Sequence, residues 1–177
     1  MKKKLLFVMN NLNCGGAEKA LISLLETIDY SRFEVDLMLF KQEGIFLSKL
    51  PKQVNLLEEP PEYQYFDMPI KKAIAGCIQT GRLDVAVARI KAGYIFKKEK
   101  NSVRCEQRVW KHLSSSLKKN IKQYDAAIGY LEKNPVYFCI DKVQATKKIG
   151  FIHNDYRKLG MDSKIDKKYF KHLDSIV

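Results

Sequence analysis

Short apolar runs alternate along the chain with segments in which apolar residues recur every three or four positions. The apolar runs predict strands at Lys4–Met9, Phe33–Phe40, Val54–Glu58, Tyr124–Leu131 and Thr146–Ile152. After the first strand, one helical face is predicted by Ala17, Ala20, Leu21, Leu24, Leu25 and Ile28. Strands that alternate with helices predict an α/β fold with a doubly wound, mostly parallel sheet of the Rossmann-like type.

The middle of the chain interrupts this alternation. Glu59–Met68 contains two prolines and predicts a loop. Three amphipathic helices are predicted from the apolar positions of 70–78, of 83–94 and of 103–121, the second of them lined by Leu83, Ala86, Val87, Ile90 and Tyr94. A further helix that Pro135 can open separates the last two strands, and a final one covers Lys164–Leu173.

The length of 177 residues suits one domain with a full core. Asp174–Val177 resembles the opening of another strand that has no room to finish. We therefore expect the chain to be one domain of a longer protein.

Polar or small residues follow three of the predicted strands at the points where they end. These are Gly15 and Gly16 after the first strand, Glu132 after the fourth and His153 after the fifth. Ligands of doubly wound sheets bind at the carboxyl ends of the strands, so these loops are predicted to form one site.

Gly15 and Gly16 suggest an anion site because they stand directly before a helix. Glycine lets the backbone approach a ligand closely, and the amino end of a helix presents free N–H groups to a phosphate. The alternative is a tight turn that binds nothing. The dinucleotide fingerprint GxGxxG is absent and no acid ends the second strand, which disfavours a nicotinamide-dependent enzyme.

The charge balance predicts an anionic partner. There are 32 Lys and Arg against 20 Asp and Glu, a formal net charge of +12. An anionic membrane surface, a phosphate-bearing substrate and nucleic acid all fit this charge, but no nucleic-acid-binding signature accompanies it, so nucleic acid is disfavoured. The basic segment from Lys97 to Lys122 is either a solvated cationic face or an amphipathic surface for anionic lipid.

Targeting and metal-binding signals are absent from the sequence. The apolar stretch Leu5–Met9 is too short for a signal peptide and no stretch is apolar enough to span a membrane, so a cytoplasmic protein is expected. Cys14, Cys77, Cys105 and Cys139 lack the CxxC spacing, so we expect free thiols and no metal site.

Several segments together resemble the amino-terminal half of family 4 glycosyltransferases, the retaining two-Rossmann-domain enzymes that build bacterial polysaccharides. The segments are LLFVMNNLNCGGAEKALISLL, FEVDLMLF, YDAAIGYLE, KKIGFIHNDY and YFKHLDSIV. The most specific pieces are the GGAE loop and the histidine at the end of a strand, and the resemblance is thin from about Glu59 to Gln123.

This resemblance implies a function and a domain arrangement. Residues 1–177 would form the acceptor-side domain of a GT-B fold enzyme, with a donor-binding domain beyond Val177, and would be inactive alone. The enzyme would transfer a sugar from a nucleotide diphosphate sugar to a saccharide or lipid-linked acceptor, with no further cofactor. Lipid-linked acceptors imply peripheral contact with the inner face of the plasma membrane.

The resemblance also implies roles for individual residues. Gly15 and Gly16 would border the donor diphosphate, and His153 would line the donor-sugar pocket as the catalytic-site histidine that orients or polarises the sugar. Glu132 matches an acidic position on the acceptor side. The alternative to an enzyme is a non-catalytic α/β module that docks on an anionic membrane or another polyanion.

Overall fold

The computed structural model describes residues 1–177 and contains a six-stranded sheet in which every neighbouring pair is parallel. The strands are β1 (Lys3–Met9), β2 (Phe33–Leu39), β3 (Asn55–Leu56), β4 (Gln123–Gly129), β5 (Gln144–Gly150) and β6 (Ser175–Ile176). They lie in the order β3-β2-β1-β4-β5-β6. This is the Rossmann-like strand order, so the predicted doubly wound α/β fold is confirmed.

The helices cover both faces of this sheet. They are α1 (Gly16–Thr27), α2 (Gln64–Asp67), α3 (Ile70–Gln79), α4 (Leu83–Lys98), α5 (Ser102–Ser116), α6 (Asn134–Lys142), α7 (Tyr156–Leu159) and α8 (Ser163–Phe170), with a 3₁₀ turn at Leu47–Lys49. The two four-residue helices α2 and α7 were not expected, because a single turn is too short to show a helical repeat.

Helix α5 ends earlier than its apolar spacing predicts. The stripe was expected to reach Ile121, but the helix stops at Ser116 and the Ile121 side chain is 93% exposed. Leu117 already has an extended backbone, and the N–H of Asn120 donates to the carbonyl oxygen of Lys142 at 2.8 Å. The chain thus leaves the helix in order to enter β4.

Strand β1 is buried on both faces and divides the core in two. Leu6 and Val8 pack in a cluster built mainly with α5 and α6, while Phe7 and Met9 pack in a second cluster with α1. All four side chains are at most 4% exposed. A parallel strand covered on both sides reads as a continuous apolar run, which is why β1 was predicted correctly.

Asp36 forms a buried polar link between strands. Its side chain is 1% exposed and accepts hydrogen bonds from Asn55 Nδ2 at 2.9 Å, Lys122 Nζ at 2.8 Å and Tyr124 Oη at 2.7 Å. Burial opposes the charged carboxylate, but the three donors outweigh it and hold the pKa of Asp36 below its ordinary value. The link connects β2 with β3 and with the start of β4.

Helix α4 is rotated relative to the sequence-based expectation. Of the five residues predicted to share its packing face, only Ala86 is buried; Leu83 is 63% exposed, Val87 51%, Ile90 51% and Tyr94 61%. The opposite side packs inward through small residues and Arg89. Because apolar residues occur on both sides of this helix, their spacing in the sequence did not indicate which side packs against the rest of the protein.

Arg89 fixes the rotation of α4. Its guanidinium is 7% exposed and donates from Nε to the carbonyl oxygen of Tyr65 at 2.7 Å and from Nη2 to that of Met68 at 3.0 Å. A buried guanidinium needs such acceptors, and only the segment around α2 supplies them.

The remaining sequence-based exclusions concern membrane spans and disulfides. No helix combines the length and apolarity needed to cross a bilayer. All four cysteines are free thiols, of which only Cys14 is exposed.

We expect Asp36→Asn to lower the free energy of unfolding by about 2 kcal/mol near neutral pH. The charge-assisted bonds that Lys122 and Tyr124 donate to the same carboxylate oxygen would be weakened. A pKa held low in the folded state stabilises the protein above the unfolded-state pKa, near 3.8, and this stabilisation is lost as the pH falls below it. Denaturant unfolding of both proteins between neutral and acidic pH measures the difference. A gap that stays constant down to the lowest pH would contradict the role of the Asp36 charge.

Candidate functional site

The loops predicted to carry the site all lie at the carboxyl edge of the sheet. Because every strand is parallel, the loops that follow β1, β4 and β5 emerge on the same side. The strand order reverses between β1 and β4, and this switch point is where ligands of doubly wound sheets bind.

Gly15 and Gly16 form the amino end of α1. Gly15 is the cap residue, and the first amide of the helix with a partner is that of Lys19, which donates to the Gly15 carbonyl oxygen at 3.1 Å. The backbone amides of Gly16, Ala17 and Glu18 have no hydrogen-bond partner. A Cβ placed on Gly16 would have no atom within 4 Å, so the space beside it is open.

The two glycines differ in their surroundings. A Cβ on Gly15 would lie 2.1 Å from Glu18 Oε2, so the Glu18 carboxylate covers this residue. Glu18 stands in the first turn of α1, where a carboxylate interacts favourably with the helix dipole. An incoming anion would therefore meet the helix on the side of Gly16.

Gly44 holds the loop after β1 in place. Leu12 is fully buried; its N–H donates to the Glu43 carbonyl oxygen at 2.9 Å and its own carbonyl accepts from the Phe46 N–H at 3.1 Å. Gly44 has a φ of 117°, and a Cβ there would lie 2.0 Å from the Leu12 carbonyl carbon. Only glycine fits this position. Gly44 could not be recognised from the sequence, because nothing there marks which neighbouring loop will approach it.

Glu132 and His153 are brought together. Glu132 is 2% exposed, and its carboxylate accepts from the His153 backbone N–H at 3.2 Å and from Asn154 Nδ2 at 2.6 Å. The carboxylate that follows β4 thus holds the loop that follows β5. Both of its oxygens are used inside the protein, which makes Glu132 a positioning residue in this structure.

The His153 ring is exposed and rests against two aromatic side chains. Its centroid lies 5.0 Å from that of Tyr130 and 5.7 Å from that of Phe151, and these two rings stack at 4.7 Å. Neither imidazole nitrogen makes a hydrogen bond. A histidine bound through its ring to nearby backbone, the ordinary alternative at a strand end, is not what the structure contains.

The turn between β4 and α6 has an unusual backbone. Lys133 has a φ of 68° and is the only non-glycine residue of the chain in this range. Its ammonium pairs with Glu106 at 2.7 Å, and it stands between the buried residues Glu132 and Asn134. Such conformations persist where surrounding contacts impose them, frequently at binding sites.

A cleft of about 500 Å³ lies beside this turn at the switch point. Its wall includes Asn10 at the end of β1 and Asn134 at the start of α6, together with Tyr63, Phe66 and Phe96. The side-chain oxygens of Asn10 and Asn134 are buried without any hydrogen-bond partner. Buried polar atoms are nearly always paired, so two orphaned amide oxygens in one cleft indicate a missing donor.

Charges and a phenol surround these amides. Lys41 pairs with Asp67 at 2.8 Å and with Glu43 at 3.0 Å, and these bonds raise the pKa of Lys41 above its ordinary value. Burial raises the pKa of Tyr63 to about 12, so its hydroxyl stays protonated. The cleft therefore offers hydrogen-bonding groups and aromatic surface, and the charges of Lys41, Glu43 and Asp67 are already paired with one another.

Other hollows of similar size are less suitable. One of about 440 Å³ and one of about 470 Å³ lie at the amino ends of the strands, beside Gln123 and beside Lys3. No three His, Cys, Asp or Glu side chains are arranged to hold a metal ion.

We expect Gly44→Ala to lower the free energy of unfolding by about 3 kcal/mol, since it combines backbone strain with a clash against Leu12. Gly16→Ala is the matched control and should be neutral or stabilising by up to about 1 kcal/mol, because its site is open and helical. Chemical denaturation of both variants measures the two effects. Equal stability losses would contradict the different surroundings of the two glycines.

No known family model matches the chain, and no curated protein matches it. The likeness to family 4 glycosyltransferases therefore remains a hypothesis supported by the quoted segments.

Proposed function

We propose that this chain is the acceptor-side domain of a retaining glycosyltransferase. The enzyme would move a sugar from a nucleotide diphosphate sugar to a saccharide or lipid-linked acceptor, using a second, donor-binding domain of the same protein. The observation that carries the proposal is the switch-point cleft with the orphaned amide oxygens of Asn10 and Asn134. It shares the carboxyl edge with the open end of α1 and with His153.

The acceptor would occupy the cleft. In this proposal the side chains of Asn10 and Asn134 turn their oxygens, which are buried in this structure, towards the hydroxyl groups of a sugar in the cleft. Aromatic side chains would pack against the apolar face of the sugar ring. A site built to bond a hydroxyl group discriminates strongly against ligands that lack it, because its own polar groups would stay unpaired.

The donor diphosphate would lie against the amino end of α1. The free amides of Gly16, Ala17 and Glu18 point the positive end of a helix dipole at an anion. When the glycosidic bond of the donor breaks, negative charge grows on the leaving diphosphate, and preorganised N–H groups stabilise that charge. The donor-binding domain would supply the remaining cationic contacts.

His153 would contact the donor sugar. Both of its ring nitrogens are free, so the imidazole can donate to or accept from a sugar hydroxyl. The stacked rings of Tyr130 and Phe151 limit its movement, and Glu132 holds its backbone. In this proposal Glu132 acts through His153 and not by touching the acceptor.

A non-catalytic docking module is the second candidate function. It is favoured by the net charge of +12 and by the exposed apolar residues of α4. A glycosyltransferase that acts on a soluble acceptor would need neither feature. A cytoplasmic location at the inner face of the plasma membrane belongs to both candidates. They differ in whether the carboxyl edge binds substrates.

His153→Ala should lower kcat by about 100-fold in the two-domain protein, the scale of one lost polar contact to a transition state. The melting temperature should barely change, because the ring is exposed. Radiolabelled sugar transfer and thermal unfolding measure the two quantities. His172→Ala is the control, an exposed histidine beyond α8 that should affect neither. Full transfer by His153→Ala would refute the role of this residue.

Asn134→Leu should keep or raise stability and still weaken acceptor binding. Replacing an unpaired buried amide by an apolar group of similar size removes the free-energy cost of burying a polar atom without a hydrogen bond. The KM for the acceptor should rise about tenfold through the lost hydrogen bond, while the KM for the donor stays unchanged.

Asn120→Leu is the matched control for Asn134→Leu. The Asn120 side chain has partners, since its oxygen accepts from the Lys122 N–H at 3.0 Å. We expect this variant to lose stability and to keep its acceptor KM. If Asn134→Leu instead lowers the melting temperature and leaves the acceptor KM of the folded enzyme unchanged, Asn134 is structural and the cleft is not the acceptor site.

A further inference from the structure

The exposed side of α4 carries a continuous apolar stripe. Its members are Leu83, Val87, Ile90 and Tyr94, each more than half exposed, and we call them the α4 stripe. Their spacing of four, three and four positions puts them on one face of the helix. Single exposed apolar residues are normal on protein surfaces, but a row of four is typical of an interaction site.

Helix α3 extends this surface. The turn around Gly81 joins α3 and α4 into a hairpin whose helices pack on each other. Ile70 of α3 lies directly against Gly93 of α4, since a Cβ placed on Gly93 would be 2.6 Å from Ile70 Cδ1. On α3, Ile78 is 60% exposed and Ile70 is 38% exposed. Ile70 therefore continues the apolar surface of α4 onto α3.

The hairpin is strongly cationic and carries hardly any acid. Between residues 70 and 98 the only acidic residue is Asp84, which pairs with Arg82 at 3.1 Å. Five exposed lysines have no acidic partner: Lys71, Lys72, Lys91, Lys97 and Lys98. The helical repeat places the last three on either side of the α4 stripe, and Lys98 Nζ lies 4.4 Å from the centre of the Tyr94 ring.

We infer that the α3–α4 hairpin docks on an anionic lipid surface. The α4 stripe would enter the boundary between head groups and acyl chains, and the flanking lysines would contact lipid phosphates. Amphipathic helices bind membranes in this way, lying in the plane of the interface instead of crossing it. With 16 residues, α4 would present about 24 Å of helix to the membrane.

Charge complementarity selects this occupant over a second copy of the chain. A symmetric dimer through the same face would bring two sets of unpaired lysines together, and like charges across an interface are strongly unfavourable. A soluble polyanion would satisfy the lysines but leave the α4 stripe in water. An anionic bilayer matches both features at once.

One interpretation of the basic segment Lys97–Lys122 was an amphipathic surface for anionic lipid. Its helix α5 does not offer the exposed apolar side that such a surface needs. The apolar side of α5 packs in the core through Trp110 and Leu113, and Leu117 directly after the helix is buried as well, each at most 4% exposed. The membrane contact therefore belongs to the preceding hairpin. This inference does not depend on the glycosyltransferase proposal, because no residue of the α4 stripe lies in the cleft.

Co-sedimentation with phosphatidylcholine vesicles, with and without phosphatidylglycerol, tests the inference. The unmodified chain should bind the anionic vesicles, and high salt should weaken this binding because it screens exposed charges. Lys91→Gln with Lys98→Gln should reduce the partition coefficient about 25-fold, at about fivefold for each lysine near the surface. Ile90→Ser should reduce it about tenfold through lost apolar burial.

Matched controls lie on the segment that follows α5. Ile121→Ser replaces an apolar residue that is even more exposed, and Lys118→Gln with Lys119→Gln removes two exposed lysines. These variants should bind like the unmodified chain. Larger losses in them than in the hairpin variants would move the contact to that segment and overturn the inference.

Two other results would also overturn it. One is equal binding to neutral and anionic vesicles, or binding to neither. The other is a dimer in sedimentation velocity without lipid that Ile90→Ser abolishes, since the α4 stripe would then be covered by a second copy. Circular dichroism of each variant confirms that the helices remain formed.

Discussion

Burial of β1 on both faces is the constraint on which the rest of the structure depends. Four consecutive side chains of this strand alternate between two cores, so helices must cover both sides of the sheet. Parallel strands all run in the same direction, so each connection must cross back from the carboxyl edge of the sheet to its amino edge. All loops that follow the strands then gather at one edge. The site geometry is thus a consequence of how a seven-residue strand is buried.

At that edge, buried polar groups position exposed ones. Gly44 allows the loop after β2 to lie against Leu12 and so fixes the loop that leads to Gly15 and Gly16. Glu132 is buried itself and holds the loop of His153. The groups left without partners are the first amides of α1, the His153 ring and the amide oxygens of Asn10 and Asn134. In the proposed function these unpaired groups bind the substrates.

Helix α4 connects the two proposed surfaces. Arg89 and Phe96, on one side of the helix, line the cleft, while the α4 stripe faces away from it. The same bonds from Arg89 to Tyr65 and Met68 that close the wall of the cleft set the rotation that exposes the stripe. If both proposals hold, a lipid-linked acceptor would reach a cleft whose wall is fixed to the membrane surface.

The sequence by itself determined the fold class and the edge at which candidate residues meet. The apolar run of β1 arises because its buried stretch faces a core on each side and has no polar position. Shorter apolar stretches predicted the other long strands, and together they placed the loops of Gly16, Glu132 and His153. The tertiary structure decided what each residue contacts. The outward face of α4 depends on where Arg89 finds its acceptors, and the need for glycine at residue 44 depends on the loop around Leu12, which is distant in the chain. It also decided that Glu132 is enclosed and that Asn10 and Asn134 remain unpaired, since hydrogen-bond partners distant in sequence are assigned only when the chain packs.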